Sequence, residues 1–468
     1  MSTIKFGTDG WRAIIAEDFT VENVARVAEA TAEWLLKNHT QPSVVVGHDC
    51  RFAGELFAET VAKVMVQKGV KVFLARDFVS TPMISMGALD YKTNLGVIIT
   101  ASHNPPAYNG FKLKGYYGGP LLPDKIEEIE ALIPSTASQQ FRTISIDDAE
   151  KNGQLVIVDL ESDYCKRAEE SFDLDAIRNS PFNFAYDAMF GAGQNVIRRL
   201  LPDITKLHCD NNPSFEGTAP EPILKNLIEF SELIKVAGDI DCGLATDGDA
   251  DRIGLFDSKG NFIDSHHIIL LLIHYLYKYK GLRGKVCTAF SSTVKMKAIC
   301  DHYGLELEIV KIGFKYIAGI MITEDVLIGG EESGGIAIKG HIPERDGIWM
   351  GLVIWEFMAK SGKTLEELIE EVYAITGPFA FERNDLHLAE ADKLRVIADC
   401  KNGKVTEIGG RAIIRMEDLD GYKYFFNESE WLMFRASGTE PVLRIYAESS
   451  TKENALKMIE SARKHFGI

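Results

Sequence analysis

Short apolar runs and amphipathic stretches alternate along most of the chain. SVVVGHD (43–49) is a β-branched run ending in polar residues. Over 56–68 the apolar residues fall at 57, 61, 64 and 65, the spacing of one helix face. KVFLA (71–75) and NLGVIIT (94–100) read as further strands, and Thr20 is placed to cap a helix over 21–37. Continuous apolar strands separated by helices imply a parallel sheet covered on both faces. The series resumes with QLVIVDL (154–160), FNFAYDAM (182–189), DCGLATD (241–247) and RIGLFD (252–257). GKVCTAF (284–290), LELEIVKI (305–312) and VLIGG (326–330) continue it. IILLLIHYLY (268–277) is too short to span a bilayer and is flanked by His and Lys, so it predicts a buried helix. Past Gly377-Pro378 the texture changes. RAIIRMED, KYFFNES and EWLMFRAS predict antiparallel strands, and 453–466 predicts a closing amphipathic helix. Boundaries near 150, 258 and 376 divide the chain into units 1–150, 151–258, 259–376 and 377–468.

Composition narrows the class. The 468 residues exceed a single core and imply roughly three or four domains. Hydrophobic residues at 46% and charged residues at 25% are those of a globular chain and argue against disorder. A formal charge of −17 repels nucleic-acid phosphates and anionic headgroups, so neither a nucleic-acid nor a membrane partner is expected. An anionic ligand would need a local basic patch. Seven cysteines with no C-x-x-C spacing point to reduced thiols rather than to disulfides or zinc. MSTIKFGTDGWR carries no apolar signal segment, and a cytoplasmic protein is the expectation.

Four loops carry chemistry. TASHNP (100–105) places Ser102 just past the end of a strand, where open α/β sheets bind ligands. A lone Ser there would also serve as a cap for a following helix. Its neighbours His103 and Asn104 are polar, and Lys112 and Lys114 downstream supply positive charge for a hydroxyl nucleophile. TDGDADR (246–252) alternates Asp247, Asp249 and Asp251, which can converge on one hard cation. An EF-hand fails, because Arg252 stands at its glycine position and Ser258 at its closing glutamate. Magnesium suits few carboxylates together with phosphate oxygens, and Arg252 could fork onto phosphate. IGGEESGG (328–335) sets Glu331 and Ser333 among glycines, either as readers of hydroxyl groups or as part of a plain connector. In RASGTEP (435–441), Arg435, Ser437 and Thr439, with backbone freed by Gly438, make a phosphate cradle or an ordinary turn. GAGQNV (191–196) lacks the third glycine of a dinucleotide fingerprint.

These loops, in this order and together with FGTDGWR (6–12), resemble the α-D-phosphohexomutase family, which includes phosphoglucomutases, phosphomannomutases and phosphoglucosamine mutases. The resemblance covers essentially the whole chain. It implies three α/β domains of shared topology with mixed, mostly parallel sheets, plus a C-terminal α+β domain, around a central cleft, with one loop from each domain. It matches the phosphoserine to Ser102, which also gives the metal an oxygen, and the Mg2+ ligands to Asp247, Asp249 and Asp251. The sugar readers match Glu331 and Ser333, and the phosphate loop matches Arg435, Ser437, Gly438 and Thr439. Arg12 matches an arginine that reaches the active site, and the family's proton-transfer candidates match His103, Lys112 and Lys315. Arg252, beside the acids, joins Arg12, Lys112, Lys315 and Arg435 as the expected basic lining of the cleft. Many relatives end the sugar loop in Ser-Gly-His, whereas Gly335 stands here, and His341 is a substitute reader to test.

The expected reaction interconverts sugar 1-phosphate and sugar 6-phosphate through phosphate on Ser102 and a bisphosphorylated sugar. A glucose 1,6-bisphosphate-type molecule is the expected activator, and the enzyme is expected to be a monomer or homodimer. The Glu-Glu-Ser triplet favours glucose, with mannose and glucosamine phosphates as alternatives. A sugar phosphatase and a non-catalytic sugar-phosphate sensor are the rival classes.

Overall fold

The computed structural model describes residues 4–7, 9–436 and 442–468. Three of its sheets are built on one plan. In the first, strands run in the order Trp11–Ile14, Tyr108–Gly115, Leu95–Ile99, Ser43–His48, Lys71–Ala75, Leu155–Val158. The last four are parallel, and Tyr108–Gly115 returns antiparallel beside Leu95–Ile99. The second sheet has Thr205–Leu207, Phe184–Asp187 and Cys242–Thr246 parallel, then Ile253–Phe256 antiparallel. In the third, Leu307–Val310, Lys285–Ala289 and Val326–Gly330 are parallel and Ile336–Ile338 is antiparallel. Each time, the loop singled out in the sequence joins the carboxyl end of a parallel strand to its antiparallel neighbour. The fourth sheet is wholly antiparallel, in the order Ala380–His387, Val442–Ser449, Trp431–Ala436, Tyr422–Phe425, Arg415–Glu417. Helix Lys452–Phe466 closes it.

Local physics accounts for the elements. Thr20 caps helix Val21–Asn38 by accepting from Asn23 N, and Thr364 forms a full capping box on Leu365–Thr376. The apolar stretch at 268–277 is the buried helix Ser265–His274 followed by a π-helical turn, Tyr275–Tyr279, of which Tyr275 and Leu276 are buried. One apolar cluster runs through the first three units, from Val45 to Val372, and takes in Phe379 of the fourth, while the C-terminal unit has its own around Leu432, Phe434 and Ile445.

Two strands cross the boundaries read from the sequence. Leu155–Val158, expected to open the second unit, pairs with Lys71–Ala75 and belongs to the first sheet, beyond residue 150. Phe262–Ile263 pairs with Ile253–Phe256 and extends the second sheet past 258. Periodicity reports strand character and carries no information about which edge the strand joins. Strand Ala380–His387 has no counterpart in the sequence pattern. Its residues, AFERNDLH, are mostly polar and half-buried, and the strand is set by its eight-residue register with Val442–Ser449.

Candidate active site

Ser102 does not cap a helix. It sits in the turn between Leu95–Ile99 and Tyr108–Gly115, 1% exposed, with φ 52°. Left-handed backbone is costly for a non-glycine residue and persists only where surrounding bonds enforce it. Ser102 N donates to Thr100 Oγ1 at 2.8 Å, and Ser102 Oγ donates to Asp247 Oδ2 at 2.7 Å. His103 Nδ1 lies 3.2 Å from the same hydroxyl. The turn of Ser102 and the acidic loop touch directly, since a Cβ on Gly248 would stand 2.6 Å from Ser102 O.

The acidic loop is wound tightly around its first carboxylate. Asp247 Oδ1 accepts from Asp251 N at 2.9 Å and from Arg252 N at 3.0 Å, with Ala250 at φ 56°. Oxygens of Asp247, Asp249 and Asp251 all lie within 4.8 Å of one another, and all three residues are fully buried. Asp249 Oδ1 and Asp251 Oδ1 are buried without a hydrogen-bond partner among the described residues. Unpaired buried carboxylate oxygens are costly unless a cation satisfies them. Burial, then the neighbouring Asp249 and Asp251, pushes Asp247 well above the ordinary carboxylate range. Burial acts the same way on Asp249, but Lys112 overrides it and holds that carboxyl low. The donor set therefore fits one divalent cation of the oxygen-seeking kind.

Lys112 stands opposite. It points from Tyr108–Gly115 into three carboxylates, 2.7 Å from Asp249, 2.9 Å from Asp9 and 3.4 Å from Asp251. Burial opposes its charge, but these acids raise its pKa and keep it protonated. Among these acids it stands as a cation. Two strand positions on, Lys114 pairs with Glu344 at 2.7 Å. Arg12 donates to Asn104 Oδ1 at 2.6 Å and flanks the Ser102 turn. Burial and the charges of Arg252, Arg12, Lys112 and Arg51 hold His103 well below its usual value, so its imidazole is neutral.

The third-unit loop abuts the acidic one, with Ile253 N donating to Gly334 O at 3.1 Å. Glu331 Oε1 accepts from Gly313 N at 2.8 Å, and burial raises its pKa against the charges of Arg345 and Arg252. Ser333 is half-buried beside it. Arg252 turns its guanidinium toward Glu221 at 3.5 Å. Lys315 lies over the Tyr316 ring and makes no ion pair among the described residues. Arg435 meets Asp420 at 3.3 Å, and Asp420 accepts from Ile312 N at 2.9 Å, so the C-terminal loop is tied to the segment preceding Lys315. Ser437, Gly438 and Thr439 lie outside the described residues. His341 is no sugar reader: its ring stacks on Trp349 at 3.7 Å and bonds Asp346 at 2.9 Å.

Several site residues escaped sequence reasoning. Arg345 reaches Asp251 at 2.7 Å and Asp9 at 2.5 Å. Its side chain fills the space beside Gly335, where a Cβ would collide with Arg345 Cδ. Thr81 donates to Asp249 Oδ2 at 2.5 Å. Arg383, in the strand that the sequence pattern does not reveal, pairs with Glu332 at 2.8 Å. Only the run of charge in PERDG (343–347) could have hinted at Arg345.

Models of the phosphoglucomutase/phosphomannomutase family match the chain from end to end. The α/β/α domains I, II and III match residues 3–140, 162–260 and 264–375, and the C-terminal domain matches 386–465. A phosphoglucomutase/phosphomannomutase of Thermococcus kodakarensis is 30% identical over 97% of this chain and 96% of its own. A phosphoglucosamine mutase of Limosilactobacillus reuteri is also 30% identical, over 97% and 96%. Among solved structures, one assigned as a phosphomannomutase from Thermus thermophilus superposes over 100% of both chains with TM-score 0.86 and 33% identity. With its four domains, its buried acidic triad and its serine turn, the chain belongs to the phosphoglucomutase/phosphomannomutase family of α-D-phosphohexomutases, isomerases that move a phosphoryl group within a sugar phosphate.

Proposed function

We propose that this chain interconverts hexose 1-phosphate and hexose 6-phosphate, with glucose as the preferred hexose, and that Ser102 carries the phosphoryl group. The observation that carries the reading is the Ser102 Oγ–Asp247 Oδ2 contact of 2.7 Å beside two unpartnered carboxylate oxygens. Asp247, Asp249 and Asp251 would hold Mg2+ together with an oxygen on Ser102. When bound, the ion supplies charge neutralisation at the transferring phosphate.

When the serine is loaded from a hexose bisphosphate, the Ser102 Oγ–P bond forms as the P–O bond to the sugar breaks. The sugar oxygen leaves as a hydroxyl, taking up the proton that Ser102 gives away. Asp247 Oδ2 and neutral His103 Nδ1 are the groups within reach of that proton. Arg12, Arg345 and Lys112 provide fixed positive charge that needs no reorganisation during transfer. In turnover the loaded Ser102 gives its phosphoryl group to the free hydroxyl of a hexose monophosphate by the reverse step, the bisphosphate so formed turns over within the cleft, and its other phosphate returns to Ser102 and leaves the isomer. A hexose 1,6-bisphosphate is the corresponding activator.

The charges around the sugar loop favour a neutral sugar. Glu332 is paired with Arg383, and Glu331 faces the charges of Arg345 and Arg252. With Glu332 paired, only Glu331 could receive the ammonium of glucosamine, and the arginine charges it faces oppose that. Mannose shares this neutrality and is the second candidate, and the glucosamine phosphates on which the Limosilactobacillus relative is named are the third. We take the units as 1–150, 151–258, 259–376 and 377–468, amended for the two strands that cross over, in a cytoplasmic monomer or homodimer. The test is an assay of the purified protein on glucose, mannose and glucosamine 1-phosphates with Mg2+ and catalytic bisphosphate, following both isomer and free phosphate. Ser102→Ala should abolish isomerisation and stable phosphorylation. Full turnover by that variant, or free phosphate as the main product, would overturn the reading.

A further inference from the structure

The Ser102 turn is gripped from within by a side chain that no motif pointed to. Arg51 lies just past strand Ser43–His48, and its side chain is fully buried. Its Nη2 donates to Ser102 O at 2.5 Å and to Asn104 O at 2.6 Å, and its Nη1 to Pro105 O at 2.9 Å and Tyr108 O at 3.0 Å. The four Nη hydrogens of the guanidinium are thus spent on four carbonyls of one turn. Asp49 completes the frame. Its Oδ2 stands 3.4 Å from Arg51 Nε and accepts from Thr100 Oγ1 at 2.5 Å. Thr100 Oγ1 in turn accepts from Ser102 N. Ser102 is therefore held through both its N–H and its C=O. The Phe215 ring covers the guanidinium at 5.1 Å.

We infer that Arg51, with Asp49 and Thr100, is a positioning device for phosphoryl transfer, fixing Ser102 in its left-handed conformation with Oγ aimed at Asp247. This rests on Ser102 being the phosphate carrier. Ser102 O is caught between Arg51 and Gly248, so the turn cannot shift without disturbing the acidic loop as well. A lysine cannot replace the arginine, because three donors on one nitrogen do not span four carbonyls in a forked plane. A valine at 100 keeps the shape of threonine but neither donates to Asp49 nor accepts from Ser102.

The test uses full-length Arg51→Lys and Thr100→Val. Dephosphorylated protein is mixed with glucose 1,6-bisphosphate and Mg2+, and the phosphate on Ser102 is followed by peptide mass. The KM for glucose 1-phosphate, the Mg2+ midpoint and amide exchange over 100–108 are measured alongside. A displacement of about an ångström costs about 100-fold in rate. The expected result is a loss of that order in Ser102 phosphorylation and kcat. KM and the Mg2+ midpoint should stay within about twofold, with faster exchange confined to 100–108. Phosphorylation at the wild-type rate in a folded variant overturns the inference, as does a loss that appears wholly in KM. If Arg51→Lys does not fold, Thr100→Val decides alone. Wild-type protein that takes up no phosphate at Ser102 removes the parent reading too, whereas normal loading in wild type and variants removes only the inference.

Discussion

Replacing Lys112 with methionine removes the charge that separates the buried Asp249 and Asp251 and the part-buried Asp9 while keeping a side chain of similar length. The ammonium lies 2.7, 2.9 and 3.4 Å from Asp249, Asp9 and Asp251. At an effective dielectric of about 20, one unit pair at about 4 Å is worth about 4 kcal/mol. Burying the ammonium offsets much of that gain while the lysine is present, but the acids stay buried after it has gone. Breaking one side of a buried pair costs about 3–5 kcal/mol. The loss should depend on metal. A cation at about 100 times its Kd returns about 2.7 kcal/mol, and without the competing ammonium the triad attracts it more strongly. Urea unfolding of wild type and variant, each in EDTA and in saturating Mg2+, reads this directly. The variant should lose about 3–5 kcal/mol in EDTA, with a smaller gap in Mg2+. A gap below about 1 kcal/mol in EDTA, or one that widens with Mg2+, would refute the picture of Lys112 as counter-ion to the metal ligands.

Gly248→Ala puts a methyl group against Ser102 O and should cost about 1–3 kcal/mol together with most Ser102 phosphorylation, and normal kinetics would show that the two loops part freely. Asp249→Asn should weaken Mg2+ binding by about tenfold or more, and an unchanged calorimetric titration would take the triad out of the metal site. Burial, partly offset by Arg51, raises Asp49 to about 6. Between the unfolded carboxylate value and 6 the folded state binds the extra proton, so this group's stability contribution is fully present at low pH and is lost as pH rises through 6. The ionised form is the one that braces Arg51, so kcat should rise across the same interval, and a pH profile unchanged in Asp49→Asn would refute that link. Arg383→Gln leaves Glu332 without its partner and should raise KM for sugar phosphate more than it lowers kcat. The opposite split, in steady-state kinetics, would separate the C-terminal domain from sugar binding.

Much was legible from the residues in order. Strands such as Lys71–Ala75 and Val326–Gly330 coincide with their apolar runs, and Thr20 caps as its side chain predicts. The serine turn and the alternating acids were each visible because the spacing within each loop is local, whereas their meeting across 145 positions was implied only by the family resemblance. These features depend on propensity, periodicity and turn chemistry, all of which act within a few residues. Sheet membership was not visible, as Leu155–Val158 and Phe262–Ile263 show, because an edge strand is chosen by the packing of distant elements. The carboxylate partners of Lys112 were hidden for the same reason. It follows from the antiparallel return beside Leu95–Ile99, which aims the lysine at acids more than 130 positions away. Arg51, Arg345 and Arg383 are ordinary charges in the chain and become site residues only where folding removes water and leaves each a single set of partners.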